Sequence, residues 1–281
     1  MLRSGILFSI YGSIFAVSLA ICSSLYAAEQ DSIYTSAIEE SSSGSRIRLN
    51  YFGIFNGPSI KRPSSYQPDL NGKPDPTRPI VMRSFLGLGY ALTDDVILSG
   101  NAYWNMQPIL GQETEMMDPF VKLSHRSIWS YGNFNLYGDV RVHLPFSKLS
   151  KINDAKYGLQ SVQSLTYYIP QITSFVGIVA SERFNAFGGR GWGNDLDLYV
   201  APNFYYYFIP NMAFTFLLEF QGSHTFGARP FKFNLDGADI EPGINWDVSS
   251  QLSFNPYVHI PLNANNTSNA ISYGMMFSLS L

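Results

Sequence analysis

Between Phe134 and Leu144 the chain changes character at every residue. Phe134, Leu136, Gly138, Val140, Val142 and Leu144 alternate with Asn135, Tyr137, Asp139, Arg141 and His143. Successive side chains of a β-strand point to opposite faces, so this segment is a strand with one apolar face and one wet face. The same period of two returns in Met212, Phe214, Phe216, Leu218 and Phe220, set against Ala213, Thr215, Leu217, Glu219 and Gln221. It returns again where Leu252, Phe254, Pro256, Val258, Ile260 and Leu262 face away from Ser253, Asn255, Tyr257, His259 and Pro261. Beyond the first 27 residues no helical period is sustained. A chain of this kind folds as sheet.

Composition narrows the kind of sheet. Of 281 residues 46% are apolar and 15% aromatic, yet only 14% are charged, where soluble proteins carry roughly a quarter. A net charge of −3 leaves no basic face of the sort nucleic-acid binding needs. The 18 Tyr, 21 Phe and 4 Trp exclude a disordered chain. Alternation between lipid and water explains a sequence that is aromatic and poorly charged yet neutral in mean hydropathy, at −0.01.

The N-terminus reads as an address. Arg3 precedes an apolar stretch from Ile6 to Ile21, followed by small residues up to Ala27 and Ala28. A basic start, an apolar centre and a small-residue cut site predict a secretory signal peptide over residues 1–27. The polar, Ser-rich segment 28–44 is expected to be a flexible tail, and 45–281 the folded domain. The single cysteine, Cys22, leaves with the signal, so the exported chain cannot misform disulfides.

Short and long connections then alternate. The short ones are Thr93–Asp95, Ser130–Asn133, Ile169–Thr173, Ile209–Asn211 and Ser249–Ser250. The long polar ones are Asn56–Arg78, Gln107–Asp118, Pro145–Lys156, Asn185–Asp195, His224–Gly237 and Asn263–Asn269. Between them we count twelve strands of roughly ten to fourteen residues, longer than the ~5–6 residues usual in soluble sheets. Even strand number, short turns at one end, long loops at the other and aromatics near strand ends (Trp104, Trp129, Tyr131, Trp246) are the marks of an outer-membrane barrel. The expected fold is all-β: an antiparallel, up-and-down transmembrane β-barrel of about twelve strands, with a range of ten to fourteen.

The last strand, Ile271 to Leu281, runs to the end of the sequence. It resembles the C-terminal assembly signal of bacterial outer-membrane barrels, with Ser272, Gly274, Phe277 and Leu279 at its characteristic positions. Leu281 stands where that signal usually ends in an aromatic. The segment Gly87 to Asp95 is similar to strand-and-turn wording common in outer-membrane families. The resemblance implies a diderm bacterium, the outer membrane, contact with its lipid and lipopolysaccharide, and insertion by the barrel-assembly machinery.

With the apolar parity outward, the remaining charges fall into the lumen and sort by sign. The earlier strands supply a basic wall of Arg46, Arg48, Arg83, Lys122, Arg126 and Arg141, with Asp139 as the lone acid. The later strands supply an acidic wall of Glu182, Asp197, Glu219, Asp239, Glu241 and Asp247, with no base. Opposed charged walls make a transverse field, and charged pore walls are how channels select. The expected function is passive diffusion of small polar solutes, without cofactor or metal. The alternative is a barrel whose charges pair and plug the lumen, or one that uses its loops for surface contact. The first loop carries Pro58, Pro63, Pro68, Pro74 and Pro76, and either folds inward as a constriction or stays outside as a cover. A catalytic reading rests on His125 and Ser127, which resemble the His-x-Ser arrangement of outer-membrane phospholipases, but the Asn-Gly that follows in that family is replaced by Ile128-Trp129. A second rim pairing sets His224 beside Asp239.

Overall fold

The computed structural model describes residues 46–109, 113–189, 191–228 and 231–281. The expected signal peptide and the whole expected tail, 28–44, lie outside the described residues. Fifteen strands are present among those described. They are β1 (Ile47–Ser59), β2 (Tyr66–Pro68), β3 (Pro74–Pro79), β4 (Val81–Ala91), β5 (Val96–Met106), β6 (Thr114–Met116), β7 (Phe120–Tyr131) and β8 (Phe134–His143). Then come β9 (Ala155–Ile169), β10 (Ser174–Phe187), β11 (Asn194–Ile209), β12 (Met212–Thr225), β13 (Asn234–Asp247), β14 (Leu252–Pro261) and β15 (Ser272–Ser280).

Twelve of these close a barrel. From β4 through β5 and β7 to β15, each barrel strand pairs antiparallel with the next. The circle closes where β1 pairs with both β4 and β15, setting Phe52 opposite Phe85 and Ile54 opposite Met276. A closed antiparallel barrel pairs every strand within the wall, which is what a sheet needs in hydrocarbon, where water cannot satisfy an open edge. Among the described residues no helix is long and apolar enough to cross a membrane; the strands do so.

The alternation of connections is present as expected. One end carries tight turns, among them Gly132-Asn133, where Gly132 adopts φ +58°, a conformation only glycine enters without strain. The other end carries the long loops. The first holds the β2–β3 hairpin, the third a short helix α1 (Lys148–Ile152) and the sixth another, α2 (Thr267–Ala270). Ser147 caps α1 by accepting from the Ser150 N–H, and Asp118 of the second loop accepts from the Ser147 N–H at 2.8 Å.

The outer wall is apolar, with Leu88, Leu98, Val121, Val140, Ile178, Phe214 and Met275 all exposed. Inside, the barrel is not uniformly wet. Phe52, Ile54, Phe85, Tyr103, Phe120, Tyr257 and Met276 pack as one buried cluster on the arc running from β14 through β1 to β7. Val162, Val179, Tyr199, Ala201 and Leu217 form a second on the arc from β9 to β12. Gly274 makes room for the first cluster, because a Cβ there would stand 2.3 Å from the Tyr257 ring.

Candidate functional site: the charged lumen

On β8, Tyr137, Asp139, Arg141 and His143 share the inward parity. Arg141 grips Asp139 with two bonds, Nε to Oδ1 at 2.7 Å and Nη2 to Oδ2 at 3.0 Å. Tyr137 donates to the same carboxylate at 2.8 Å, and the Arg141 guanidinium lies 5.3 Å from the centre of the Phe120 ring. Lys122 stands opposite Arg141 across the β7–β8 ladder. Arg141 and Lys122 are only 1% and 2% exposed, so water does not reach them. A bidentate Arg–carboxylate pair with its remaining lone pairs satisfied is the arrangement that tolerates such burial.

Polar contacts continue around the wall. His143 Nε2 meets Gln160 Oε1 at 2.8 Å, and Gln160 donates to Ser181 Oγ at 2.9 Å. Asn185 accepts from Arg183 Nε at 2.8 Å and donates to Asp197 at 2.8 Å. Further on, Tyr199 donates to Glu219 at 2.5 Å. His259 stands between two acids, with Nδ1 3.0 Å from Glu241 Oε1 and Nε2 3.4 Å from Asp239 Oδ1.

These acids border a cavity of about 320 Å³ at the long-loop end of the barrel. Arg83 from β4 and Arg78 from the first loop line it together with Glu219, Asp239 and Glu241. Both signs of charge therefore border one cavity. Gln67, Asp69 and Leu70 of the β2–β3 hairpin form part of its lining, so the Pro-rich loop leans over the mouth. The sixth loop holds it there. Leu70 C=O accepts from Asn266 N–H at 3.3 Å, and Ser59 donates to Asn269 C=O at 2.7 Å. Within the hairpin, the N–H groups of Lys73 and Asn71 hold the Asp69 carboxyl below its ordinary range. The Thr77 hydroxyl and N–H do the same for Asp75.

No protein-family profile matches the sequence, and no curated protein matches it. Among solved structures, an outer membrane channel from Pseudomonas putida F1 aligns with 86% of this chain and 100% of its own, at TM-score 0.53 and 13% identity. The fold is that of an outer-membrane β-barrel. More distant are the NanC porin, at TM-score 0.47 and 8% identity over 83% of this chain and 98% of its own, and OmpTdeltaL8, a loop-deleted outer membrane protein of Vibrio cholerae. The latter gives TM-score 0.39 and 7% identity over 84% of this chain and 98% of its own. The likeness is one of fold.

Within this barrel Arg48, Arg83, Lys122 and Arg141 lie on the inward parity of β1, β4, β7 and β8, each opposite or beside buried lumen residues. Arg126 follows Ser124 on the same parity near the short turns. Arg46, expected in the lumen, is a correction: it precedes β1 and lies fully at the surface, where it reaches the exposed Tyr90 hydroxyl at 3.5 Å. Asp197, Glu219, Asp239 and Glu241 are buried and inward, and Asp247 accepts from Asn245 at 2.9 Å near the short turns.

Glu182 is a correction. It pairs with Ser161 and Leu198 and shares the parity of the exposed Val176, Ile178 and Phe184, so it stands on the outer wall. Its neighbour Arg183 takes the inward place, opposite Gln160 and Asp197, and the expectation of an acidic side without a base is corrected with it. Strand β10 carries apolar residues on both parities, which hid the register; the neighbouring β9 and β11, with buried Gln160 and Asp197, fix it.

The strand-end resemblance lies at the seam of the barrel. Ser272 and Gly274 face inward on β15, while Phe277 and Leu279 face outward opposite Gly53 and Tyr51. His125 and Ser127 do not form a catalytic couple in this structure. The Ser127 N–H donates to His125 Nδ1 at 3.2 Å, whereas the Ser127 hydroxyl donates to Asn135 at 2.7 Å. His224 bonds Asp195 at 2.6 Å, and Asp239 turns inward to His259.

Proposed function

We propose that the protein is an outer-membrane channel through which small polar solutes diffuse passively, selected by a basic arc facing an acidic one. The observation carrying this reading is the mouth cavity of about 320 Å³, which Arg78 and Arg83 line together with Glu219, Asp239 and Glu241. Low-dielectric walls focus the field of such groups. Burying ionisable side chains costs folding energy that apolar residues of equal volume would not, so a barrel with no use for an aqueous path gains nothing by keeping them. Location in the outer membrane is supported by the exposed apolar belt, and insertion by the assembly machinery by the β15 pattern.

A second reading, a plugged barrel that works through its loops, is favoured by the buried charged group on β7 and β8. There Arg141, Lys122 and Phe120 pack out of reach of water. Planar-bilayer recording of the purified, folded protein separates the two. Discrete conductance steps support the channel, and a reversal potential that shifts in Glu241→Gln supports the charged walls. Folded protein that inserts without steps overturns the channel in favour of the plug.

A further inference from the structure

The outer wall carries one charged patch in its apolar belt. On β9 the outward residues run Tyr157, Leu159, Ser161, Gln163, Leu165 and Tyr167, and on β10 they run Val176, Ile178, Ala180, Glu182 and Phe184. Ser161 is registered opposite Glu182, and Gln163 opposite Ala180. The Gln163 amide lies 3.4 Å from Glu182 Oε2 and also reaches the Ser161 hydroxyl. Apolar or aromatic residues stand above and below all three.

An ionisable group at this depth faces protein or water rather than hydrocarbon, because lipid tails offer no hydrogen bonds and cannot solvate charge. The inner face is no refuge for this cluster, since Gln160, Val162 and Ser181 fill it. Barrels of one kind insert in one orientation, so a closed pair of two copies is related by a two-fold axis along the membrane normal. Such an axis turns a patch onto itself. Placed between β9 and β10, it sets the Gln163 amide of each copy against the Glu182 carboxylate of the other, donor to acceptor twice over. The small Ser161 and Ala180 let the two walls approach, as small residues do at membrane-embedded interfaces.

We infer that the β9–β10 wall is the contact face of a symmetric dimer of this chain, held by reciprocal Gln163–Glu182 hydrogen bonds within the membrane. The inference stands apart from solute passage, since a plugged barrel would dimerise equally.

The test is Ala180→Cys in outer membranes of expressing cells, oxidised with copper–phenanthroline, with Leu86→Cys on β4 as the control. The barrel contains no other cysteine. The expected product is a reducible adduct of twice the barrel mass from Ala180→Cys alone. Adducts from both positions alike, adducts of another mass, or none at all overturn the dimer and point to random collision, a different protein, or lipid. Glu182→Leu and Gln163→Leu restore an apolar belt, so both variants fold, as heat-modifiable migration checks. Each is expected to raise the dimer dissociation constant in detergent at least tenfold. An unchanged constant in both overturns the reciprocal bonds.

Discussion

Two groups of charged side chains inside the barrel differ less in burial than in how their charge is balanced. On β7 and β8, Asp139 meets Arg141 through two bonds, Tyr137 completes the carboxylate, and Lys122 stands alongside. At the mouth, Asp239 and Glu241 share the single ring of His259, and Asp239 Oδ2 has no hydrogen-bond partner. The first group is closed upon itself. The second borders a cavity that Arg78 and Arg83 also line, which is what a solute or its counter-ion can use. Charge inside a barrel is therefore no measure of function until each group's partners are known.

The largest effect is expected at the closed group. Arg141→Met leaves the Asp139 carboxylate buried without its bidentate partner and should cost about 3–5 kcal/mol, the range for breaking a buried pair from one side. Urea unfolding in micelles measures it. Adding Asp139→Asn to Arg141→Met removes the stranded charge, and the double variant should be more stable than Arg141→Met alone. Equal stability of the two would show that Lys122 already neutralises Asp139, and the contrast with the mouth would weaken.

Gly274→Ala comes next. Its Cβ would collide with the Tyr257 ring, which holds Asn56 through a 3.3 Å bond and belongs to the inner apolar cluster. Overpacking of this kind typically costs about 1–3 kcal/mol. The loss should appear as a lowered unfolding midpoint, without the charge dependence expected at the Asp139–Arg141 pair.

Removing one of the two acids that flank His259 should cost less than Arg141→Met. Glu241→Gln relieves like-charge crowding with Asp239 and leaves an amide in place beside His259, so no charge is stranded. What should change is ion preference, with the reversal potential in a salt gradient moving toward the anion's. A stability loss as large as that of Arg141→Met would show the mouth acids to be as structural as the Asp139–Arg141 pair.

How much of this was legible in the sequence follows from the strands themselves. β8 alternates cleanly, so its faces, and with them Asp139, Arg141 and His143, were readable from the residues alone. β10 was not readable in this way. Val176, Ile178 and Phe184 lie on one parity and Phe175 and Val179 on the other, so a rule that sends charge inward misplaced Glu182 and passed over Arg183. The pairings of β10 with β9 and β11 settle it, and pairing is not a property of one strand. Strand number and loop alternation were legible because turns and polar loops mark themselves. The bidentate Asp139–Arg141 bond was hidden for a different reason: residues two apart on a strand share a face, but rotamers decide whether they touch.

The smallest expected effect concerns the loop that leans over the mouth. Asp69 and Asp75 brace the β2–β3 hairpin by accepting from N–H groups, and in Asp75 also from the Thr77 hydroxyl. Both carboxyls are held below their ordinary value of 3.8, so the folded hairpin favours their charged forms. A folded value below the unfolded one contributes stability that is complete above about pH 5 and is lost as pH falls through the ordinary value toward the folded one. Amide exchange at Asn71, Lys73 and Thr77 should therefore show less protection near pH 3 than near pH 6, once corrected for intrinsic rates. Asp75→Asn should remove part of that dependence. The β7–β8 ladder should keep its protection over the same range. If ladder and hairpin lose protection together, the hairpin is not an independent cover, and the two act as one cooperative unit.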